Sequence, residues 1–202
     1  LAPGAPLTVP RPTQLSGAKF LADRAVALLA DEPRVGKTGA TIIAADYVMA
    51  QSILIVTTAS GRPVWRRGMA EWSAFRRSVQ IVTPKDALAG GTDVAIVGWQ
   101  TVAMPALRAQ LLKRSWDLLI LDESHYAKSF DAARTCAVYG DYDGAGLRVK
   151  QSLVGRAAIT WCLTGTPLPN SPADVFPMLR ALAPERLTTA WGPTDVTNYV
   201  AF

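Results

Sequence analysis

The chain has 202 residues, half of them hydrophobic, which suffices for one sizeable α/β domain and is too little for two comfortable ones. Its net charge of +5 is compatible with an acidic polymer such as nucleic acid, although many proteins without such a partner are equally basic. No membrane-length apolar run and no signal-peptide pattern is present, and Cys136 and Cys162 lack metal-ligand spacing. We therefore expect reduced thiols and a cytoplasmic or nucleoid-associated protein that is neither secreted nor membrane-bound.

The first elements form a helix, a strand and a second helix. Residues 1–10 contain three prolines and are predicted to be an extended lead-in. Helical apolar spacing predicts a helix over Gln14–Ala22. Considered by itself, Gln14 is typical of a solvated polar residue at a helix end. An apolar strand is predicted over Ala25–Ala30. A helix over Gly39–Ala50 is apolar nearly all round, which indicates burial against a sheet.

The loop between that strand and that helix ends in Gly36, Lys37 and Thr38. Strand, Gly-Lys-Thr and helix is the context of a phosphate-binding loop, in which backbone N–H groups face the phosphates. Lys37 would reach the β- and γ-phosphates, and the Thr38 hydroxyl would bind Mg²⁺. The strict pattern is not met, because Asp31 stands at its first glycine position and Arg34 where a second glycine often helps the turn.

The next strand, Ile53–Thr57, is followed by the hydroxyls of Thr58 and Ser60 and by Arg62. Hydroxyls at a strand's carboxyl end together with arginines suit a nucleic-acid backbone, and the alternative is a solvated basic helix face. A helix is predicted over Pro63–Phe75. Its expected core face consists of Val64, Trp65, Met69 and Trp72.

Two further strands are predicted over Val79–Val82 and Asp93–Gly98. A helix is expected to begin at Trp99 and to reach Arg114. Thr101 is a candidate for contact with a nucleic-acid phosphate, whereas Trp99 is interpreted as a packing residue rather than a base-stacking platform.

A buried strand over Leu118–Leu121 ends in two adjacent carboxylates, Asp122 and Glu123. Asp122 can hold Mg²⁺, and Glu123 can orient or deprotonate an attacking water. The alternative for this pair alone is a solvated acidic turn. A short helix containing Arg134 follows, and the glycine-rich residues 139–146 are predicted to be an exposed loop.

The last core strand is predicted over Ala157–Leu163 and ends in Thr164-Gly-Thr166. A helix is expected over residues 172–182. Because strands alternate with helices throughout, the sheet should be mostly parallel with helices on both faces. The Gly-Lys-Thr, Asp-Glu and Thr-Gly-Thr motifs would then gather at one edge of this sheet, which favours a nucleoside triphosphatase.

These motifs resemble the first RecA-like lobe of a superfamily 2 helicase, and most of all the Snf2/SWI2 branch of DNA translocases. The resemblance covers roughly residues 11–184 and implies a three-layer RecA-like P-loop NTPase domain with a mostly parallel central sheet. Residues 185–202 would begin a linker toward a second lobe. The resemblance rests on residues 11–17, 29–38, 56–65, 96–102, 117–129 and 163–170. Within residues 117–129, Ser124 is a mild variant of the usual Asp-Glu-Ala-His tetrad.

The resemblance implies a role for each candidate residue, with ATP and Mg²⁺ as cofactors. Gln14 would read adenine, and Gly36, Lys37 and Thr38 would bind ATP. Thr38 and Asp122 would hold Mg²⁺, and Glu123 would activate water, so the catalytic set is Lys37, Asp122 and Glu123. His125, Thr164 and Thr166 would couple the nucleotide site to a nucleic-acid groove at Thr58, Ser60, Arg62 and Thr101.

In such motors the ATPase site closes between two RecA-like lobes, and the second lobe supplies arginine fingers. No second α/β lobe follows Leu182, so we expect this chain to bind ATP–Mg²⁺ and to hydrolyse it very slowly alone. Its partner is expected to be nucleic acid, DNA rather than RNA. Two alternatives stay open: the motor portion of a restriction or nuclease-linked helicase, and a stand-alone nucleotide-dependent nucleic-acid-binding module.

Overall fold

The computed structural model describes residues 8–32, 34–129, 131–141, 151–166 and 172–184. Within these residues the chain contains six strands and six α-helices, which alternate along the sequence except that the third and fourth strands follow each other directly. The strands are β1 (Val26–Leu29), β2 (Ile53–Thr57), β3 (Val79–Ile81), β4 (Val94–Gly98), β5 (Trp116–Asp122) and β6 (Ala157–Leu163). The helices are α1 (Pro12–Ala22), α2 (Lys37–Tyr47), α3 (Gly61–Trp72), α4 (Pro105–Leu112), α5 (Ala133–Tyr139) and α6 (Phe176–Leu182).

The six strands form one sheet in the order β1-β6-β5-β2-β4-β3, and every neighbouring pair is parallel. This confirms the expected parallel sheet. Every residue of β2 and of β4 is buried, because helices cover both faces of a parallel sheet. The apolar runs that predicted these strands therefore reflect burial on both sides.

Two hydrophobic clusters sandwich the sheet. Successive residues of a strand point to opposite faces, so Ile53 and Ile55 enter one cluster while Leu54 and Val56 enter the other. The first cluster also contains buried residues of α1, α2 and α3. The second contains residues of α4, α5 and α6. The result is a three-layer α/β architecture with three helices on each face.

The prediction for the end of α2 was wrong. The helix ends at Tyr47 rather than at Ala50, and the side chain of Tyr47 is 79% exposed. Met49, which was expected within a buried helix, is exposed and has a φ of 56°, in the left-handed region that no helix continues through. In α3 the predicted core residues Trp65 and Met69 are buried, whereas Val64 is exposed.

The prediction that a helix begins at Trp99 was also wrong. Residues 99–103 form turns, and α4 begins at Pro105. Proline suits the first turn of a helix because its missing N–H needs no partner there, and it disfavours helical backbone in the residue before it. The expected final helix begins as a 3₁₀ turn over Pro172–Val175 and becomes α-helical at Phe176.

Tyr139 was predicted to open an exposed loop, but it is the last residue of α5 and is buried in the second cluster. Gly140 is buried as well. Of the rest of that predicted loop, Asp141 lies outside any helix or strand, and residues 142–146 fall outside the described residues. The same holds for residues 1–7 of the lead-in, for residues 167–170 and for residues 185–202.

Neither cysteine forms a disulfide, in line with the expectation of thiols. Burial raises the pKa of the Cys162 thiol to about 12, which keeps it protonated. Within the described ranges, no helix combines the length and the apolar character that crossing a membrane requires.

Candidate functional site

The strand register brings the predicted motifs to one edge of the sheet. Leu29 at the end of β1 lies opposite Leu163 of β6, and Leu163 lies opposite Asp122 of β5. The backbone N–H of Thr164 donates to the carbonyl of Leu29 at 3.1 Å. The loop after β1, the Asp-Glu pair after β5 and the Thr-Gly-Thr stretch after β6 therefore leave three consecutive strands at the same level.

The loop after β1 folds around the side chain of Lys37. Lys37 Nζ donates to the carbonyls of Asp31 at 2.8 Å and Glu32 at 2.9 Å. Two residues of this loop, Arg34 with a φ of 68° and Gly36 with a φ of 95°, have left-handed backbone. Gly36 caps α2, so the N–H groups of the first helical turn open toward the loop.

Gln14 is buried, with 3% of its surface exposed, and is not the solvated helix-end residue that its position alone suggested. Its Oε1 accepts from the backbone N–H of Arg11 at 3.0 Å, and its Nε2 donates to the carbonyl of Gly36 at 3.3 Å. Arg11 Nη2 donates to the carbonyl of Val35 at 2.9 Å. The start of α1 is thus bonded to the phosphate-loop candidate.

Two glycines leave room for this arrangement. A Cβ on Gly36 would lie 2.6 Å from Gln14 Nε2, and a Cβ on Gly39 would lie 2.7 Å from the same atom. Both distances are shorter than any van der Waals contact. Larger residues at either position would displace Gln14.

An open cavity of about 850 Å³ lies between α1, the end of β1 and the loop. Its size is within the range of small-molecule sites. It offers apolar surface from Phe20 and Leu29 beside the polar groups of Gln14 and Lys37. The cavity is also lined by Asp31, Glu32, Val35, Gly36 and Lys37, so a ligand in it would meet both the start and the end of the loop.

Asp122 is held by donors from β2, from α3 and from the turn after β4. Its Oδ2 accepts from the hydroxyl of Thr57 at 2.6 Å and from the indole N–H of Trp65 at 2.8 Å. Its backbone carbonyl accepts from the indole N–H of Trp99 at 2.7 Å. Trp99 is 1% exposed, consistent with the packing interpretation.

The residues after Asp122 form a polar cluster with the end of β6. Glu123 has left-handed backbone with a φ of 52°, and its Oε2 lies 3.3 Å from His125 Nδ1. The same nitrogen lies 3.0 Å from Thr164 Oγ1 and 3.3 Å from Thr166 Oγ1. Thr166 also donates its backbone N–H to Thr164 Oγ1 at 3.1 Å. The three predicted coupling residues are therefore in contact with one another and with Glu123.

The candidate nucleic-acid residues lie at the same edge, after the neighbouring strands β2 and β4. Thr58 Oγ1 accepts from the N–H of Gly61 at 3.1 Å and lies 3.2 Å from Ser60 Oγ, so both hydroxyls shape the start of α3. Thr101 Oγ1 donates to the carbonyl of Gly98 at 3.1 Å. Arg62 is half-buried at the first turn of α3.

In the described part of the chain, no hydrogen bond joins Lys37 or Thr38 to Asp122 or Glu123. The donor set fits Mg²⁺ nevertheless, because a hydroxyl and a carboxylate are oxygen ligands and this ion completes its shell with water and phosphate. ATP fits as well, since the cavity, the helix N-terminus and Lys37 meet at the loop.

The sequence did not indicate which residues hold Asp122 and the loop that contains Lys37 in place. Arg11 and Thr57 were given no role of their own, and Trp65 and Trp99 were assigned to packing alone. A buried indole N–H usually finds a hydrogen-bond acceptor, and that requirement is the signal that could have indicated a polar role for both tryptophans.

The fold and the site define a RecA-like α/β domain of the phosphate-loop class. A family model described as SNF2-related domain matches residues 13–192, and the chain belongs to this family. The expected fold and the resemblance to the first lobe of the Snf2 branch are confirmed.

Relatives and structural neighbours are consistent with this assignment. The chain is 32% identical over 178 residues to a bovine (Bos taurus) SWI/SNF-related matrix-associated actin-dependent regulator of chromatin subfamily A-like protein 1, covering 86% of this chain and 17% of that protein. It is 29% identical over 169 residues to the mouse (Mus musculus) DNA annealing helicase and endonuclease ZRANB3, and the match covers 80% of this chain and 15% of that protein.

The SWI2/SNF2 ATPase core of Sulfolobus solfataricus in complex with double-stranded DNA superposes with a TM-score of 0.75 at 17% identity. The match covers 100% of this chain and 40% of that one. The chain thus spans less than a fifth of the two relatives named above and less than half of the structural neighbour.

Proposed function

We propose that this chain is the ATP-binding lobe of a Snf2-like superfamily 2 motor that couples ATP hydrolysis to movement on nucleic acid, with duplex DNA favoured over RNA. The observation that carries the proposal is the convergence of three motifs at the ends of β1, β6 and β5. The loop with Lys37, the Thr164-containing turn and the Asp122-Glu123 pair leave the sheet at one level. Membership in the SNF2-related domain family supports it.

The residues at this edge have distinct proposed roles in ATP hydrolysis. Lys37 leaves the carbonyls of its own loop and places its charge on the β- and γ-phosphates. Gln14, at the cavity wall, contacts adenine, and Thr38 and Asp122 provide oxygen ligands for Mg²⁺. The ion, when bound, neutralises charge that develops on the phosphates. Glu123 orients and deprotonates the attacking water.

Glu123 and the coupling residues share one nitrogen, His125 Nδ1. We propose that this shared contact transmits the state of the nucleotide site to the nucleic-acid groove. A change in the position of Glu123 alters the contact that His125 makes with Thr164 and Thr166. The groove itself would use Thr58, Ser60, Arg62 and Thr101.

Hydrolysis is proposed to require a second RecA-like lobe that supplies arginine fingers. Such a finger is worth about 10³–10⁵ in rate in related phosphoryl-transfer systems. The lobe described here would bind ATP–Mg²⁺ and turn it over very slowly alone. DNA is favoured because the named relatives include a DNA annealing helicase and the structural neighbour is in complex with double-stranded DNA. The protein would act where DNA is located, in the cytoplasm or nucleoid.

The test measures ATP turnover by this chain without polymer and with duplex DNA, single-stranded DNA or RNA in parallel. We expect very slow turnover in every tube and loss of the residual rate in Glu123→Gln. Turnover at a rate typical of motor ATPases, roughly 1 s⁻¹ or faster, without any second lobe would contradict the proposal. Nucleotide-dependent binding should favour duplex DNA over RNA, and a preference for RNA would exclude a DNA motor.

A second candidate function is the motor portion of a nuclease-linked helicase. It is supported by the mouse relative, which is a DNA annealing helicase and endonuclease. This candidate uses the same lobe and the same ATP site. A nuclease motif elsewhere in the parent chain would favour it. The third possibility, a nucleotide-dependent nucleic-acid-binding module, predicts DNA affinity that responds to ATP with no hydrolysis under any condition.

A further inference from the structure

Asp122 has an unequal distribution of hydrogen bonds over its carboxylate. Both side-chain donors, Thr57 Oγ1 and Trp65 Nε1, are bonded to Oδ2, and neither is bonded to Oδ1. Two donors on one oxygen fix the rotation of the carboxylate plane. The other oxygen is then directed away from this pair of donors.

Both donors are themselves fixed in place. Thr57 is fully buried at the end of β2, the strand that neighbours β5 in the sheet. Trp65 is 1% exposed in α3 and belongs to the first hydrophobic cluster. Trp99 holds the carbonyl of Asp122 in addition. The carboxylate is therefore oriented by rigid elements and not by mobile side chains.

Gly61, the first residue of α3, leaves room for the hydrogen bond from the Thr57 hydroxyl to Asp122. A Cβ on Gly61 would overlap the hydroxyl oxygen of Thr57. Glycine at this position thus allows the Thr57 hydroxyl to occupy the place from which it reaches Asp122. A side chain at position 61 would force that hydroxyl to move.

We propose that Trp65 and Thr57 are positioning residues that turn Asp122 so that its Oδ1 faces the Mg²⁺ of the bound nucleotide. The inference rests on the proposed function, in which Asp122 is a ligand of that ion. Residues that orient a metal ligand typically affect metal affinity 10- to 100-fold. Their loss should weaken the part of nucleotide binding that depends on Mg²⁺ and leave the remainder unchanged.

The test measures the affinity of the whole chain for a fluorescent ATP analogue by anisotropy, once in excess Mg²⁺ and once in EDTA. The ratio of the two dissociation constants reports the contribution of Mg²⁺. Trp65→Phe removes the indole N–H and keeps an aromatic ring, and Thr57→Val removes the hydroxyl and keeps the shape. We expect each variant to reduce the Mg²⁺ advantage by about tenfold with the EDTA affinity unchanged.

Matched controls come from residues of the same type away from the site. Trp116 donates its indole N–H to the carbonyl of Leu111 at 3.1 Å, and Thr160 is buried within β6. Trp116→Phe and Thr160→Val should keep the Mg²⁺ advantage of the parent.

Gly61→Ala is a third test variant. It should lower the Mg²⁺ advantage, because the added Cβ displaces the Thr57 hydroxyl.

The outcomes separate the two proposals. An unchanged Mg²⁺ advantage in Trp65→Phe and Thr57→Val overturns the positioning role while leaving the proposed function intact. Equal losses in Mg²⁺ and in EDTA also overturn it, because they indicate a structural effect. A parent chain with no Mg²⁺ advantage overturns the proposed function and the inference together. If Trp65→Phe fails to fold by circular dichroism, Thr57→Val decides.

Discussion

At Gly36 both the backbone conformation and the packing of a neighbouring side chain require glycine. Its φ of 95° is one that other residues adopt only at a cost of roughly 1–2 kcal/mol. Its missing side chain also leaves space for Gln14 Nε2, which donates to the Gly36 carbonyl. The glycine of the Gly-Lys-Thr motif therefore serves the loop conformation and the contact with α1 at once.

A Gly36→Ala variant is expected to lose at least about 1 kcal/mol of unfolding free energy and to bind ATP–Mg²⁺ at least about tenfold more weakly. Chemical denaturation and nucleotide titration measure the two effects. Gly90→Ala is the matched control, because a Cβ there meets nothing within 4 Å. If both variants behave alike, the loop geometry is not what limits binding.

At the scale of elements, side chains outside the site hold helices and strands in place. Asp46 in α2 is paired with the Arg77 guanidinium beyond the end of α3, and it accepts the backbone N–H of Ala74 at 2.6 Å. The Arg77 side chain is 1% exposed. This contact fixes α3, which carries Trp65, against α2, which begins with Lys37.

Asp117 plays a similar part at the opposite edge of the sheet, where β2 and β5 begin. Its Oδ2 accepts the backbone N–H groups of Gln51 and Ser52, each at 2.9 Å. Partial burial acts to raise the pKa of Asp117, but the hydrogen bonds from Ser52 and Gln51 outweigh it and lower the pKa below the ordinary value of 3.8. The charged form is therefore the one that the fold stabilises.

Because this pKa is lower in the folded state, the stabilisation by Asp117 is present above the unfolded-state pKa and is lost as the pH falls through the folded-state pKa. We expect Asp117→Asn to cost at most about 1 kcal/mol at pH 7, since the carboxylate is exposed. The difference from the parent should shrink below about pH 4. Urea denaturation at several pH values measures it, and a difference that grows in acid would contradict the assignment.

At the scale of the whole molecule, the sheet was predictable and the cross-element contacts were not. The bounds of β2 and β6 were predicted to the residue, because each is a largely apolar run with a threonine at its carboxyl end, Thr57 as the last residue of β2 and Thr164 directly after β6. The start of α4 was misplaced, since polar residues after Trp99 resemble a helix start while Pro105 determines where the helix begins. The indole bond from Trp65 joins residues 57 positions apart, which no local pattern specifies.

In the candidate site, too, some features were predictable from the sequence and others depend on packing. The order of motifs indicated that Lys37, Asp122 and Thr164 leave the sheet at one edge, and the strand register places them there. What holds each group depends on packing between layers, as for the buried Gln14 beneath the loop. Sequence spacing therefore predicted which groups gather at this edge of the sheet, while the residues that support them could be found only from the fold.

Lys37 and its loop are proposed to bind ATP–Mg²⁺, and the other proposed roles depend on this binding. The most direct test compares the affinity for ATP–Mg²⁺ of the parent, Lys37→Ala and the surface control Lys85→Ala by isothermal titration calorimetry. We predict binding by the parent and by Lys85→Ala, and a loss of at least about tenfold in Lys37→Ala with an unchanged circular dichroism spectrum. Binding by Lys37→Ala as tight as that of the parent would contradict the assignment of the site.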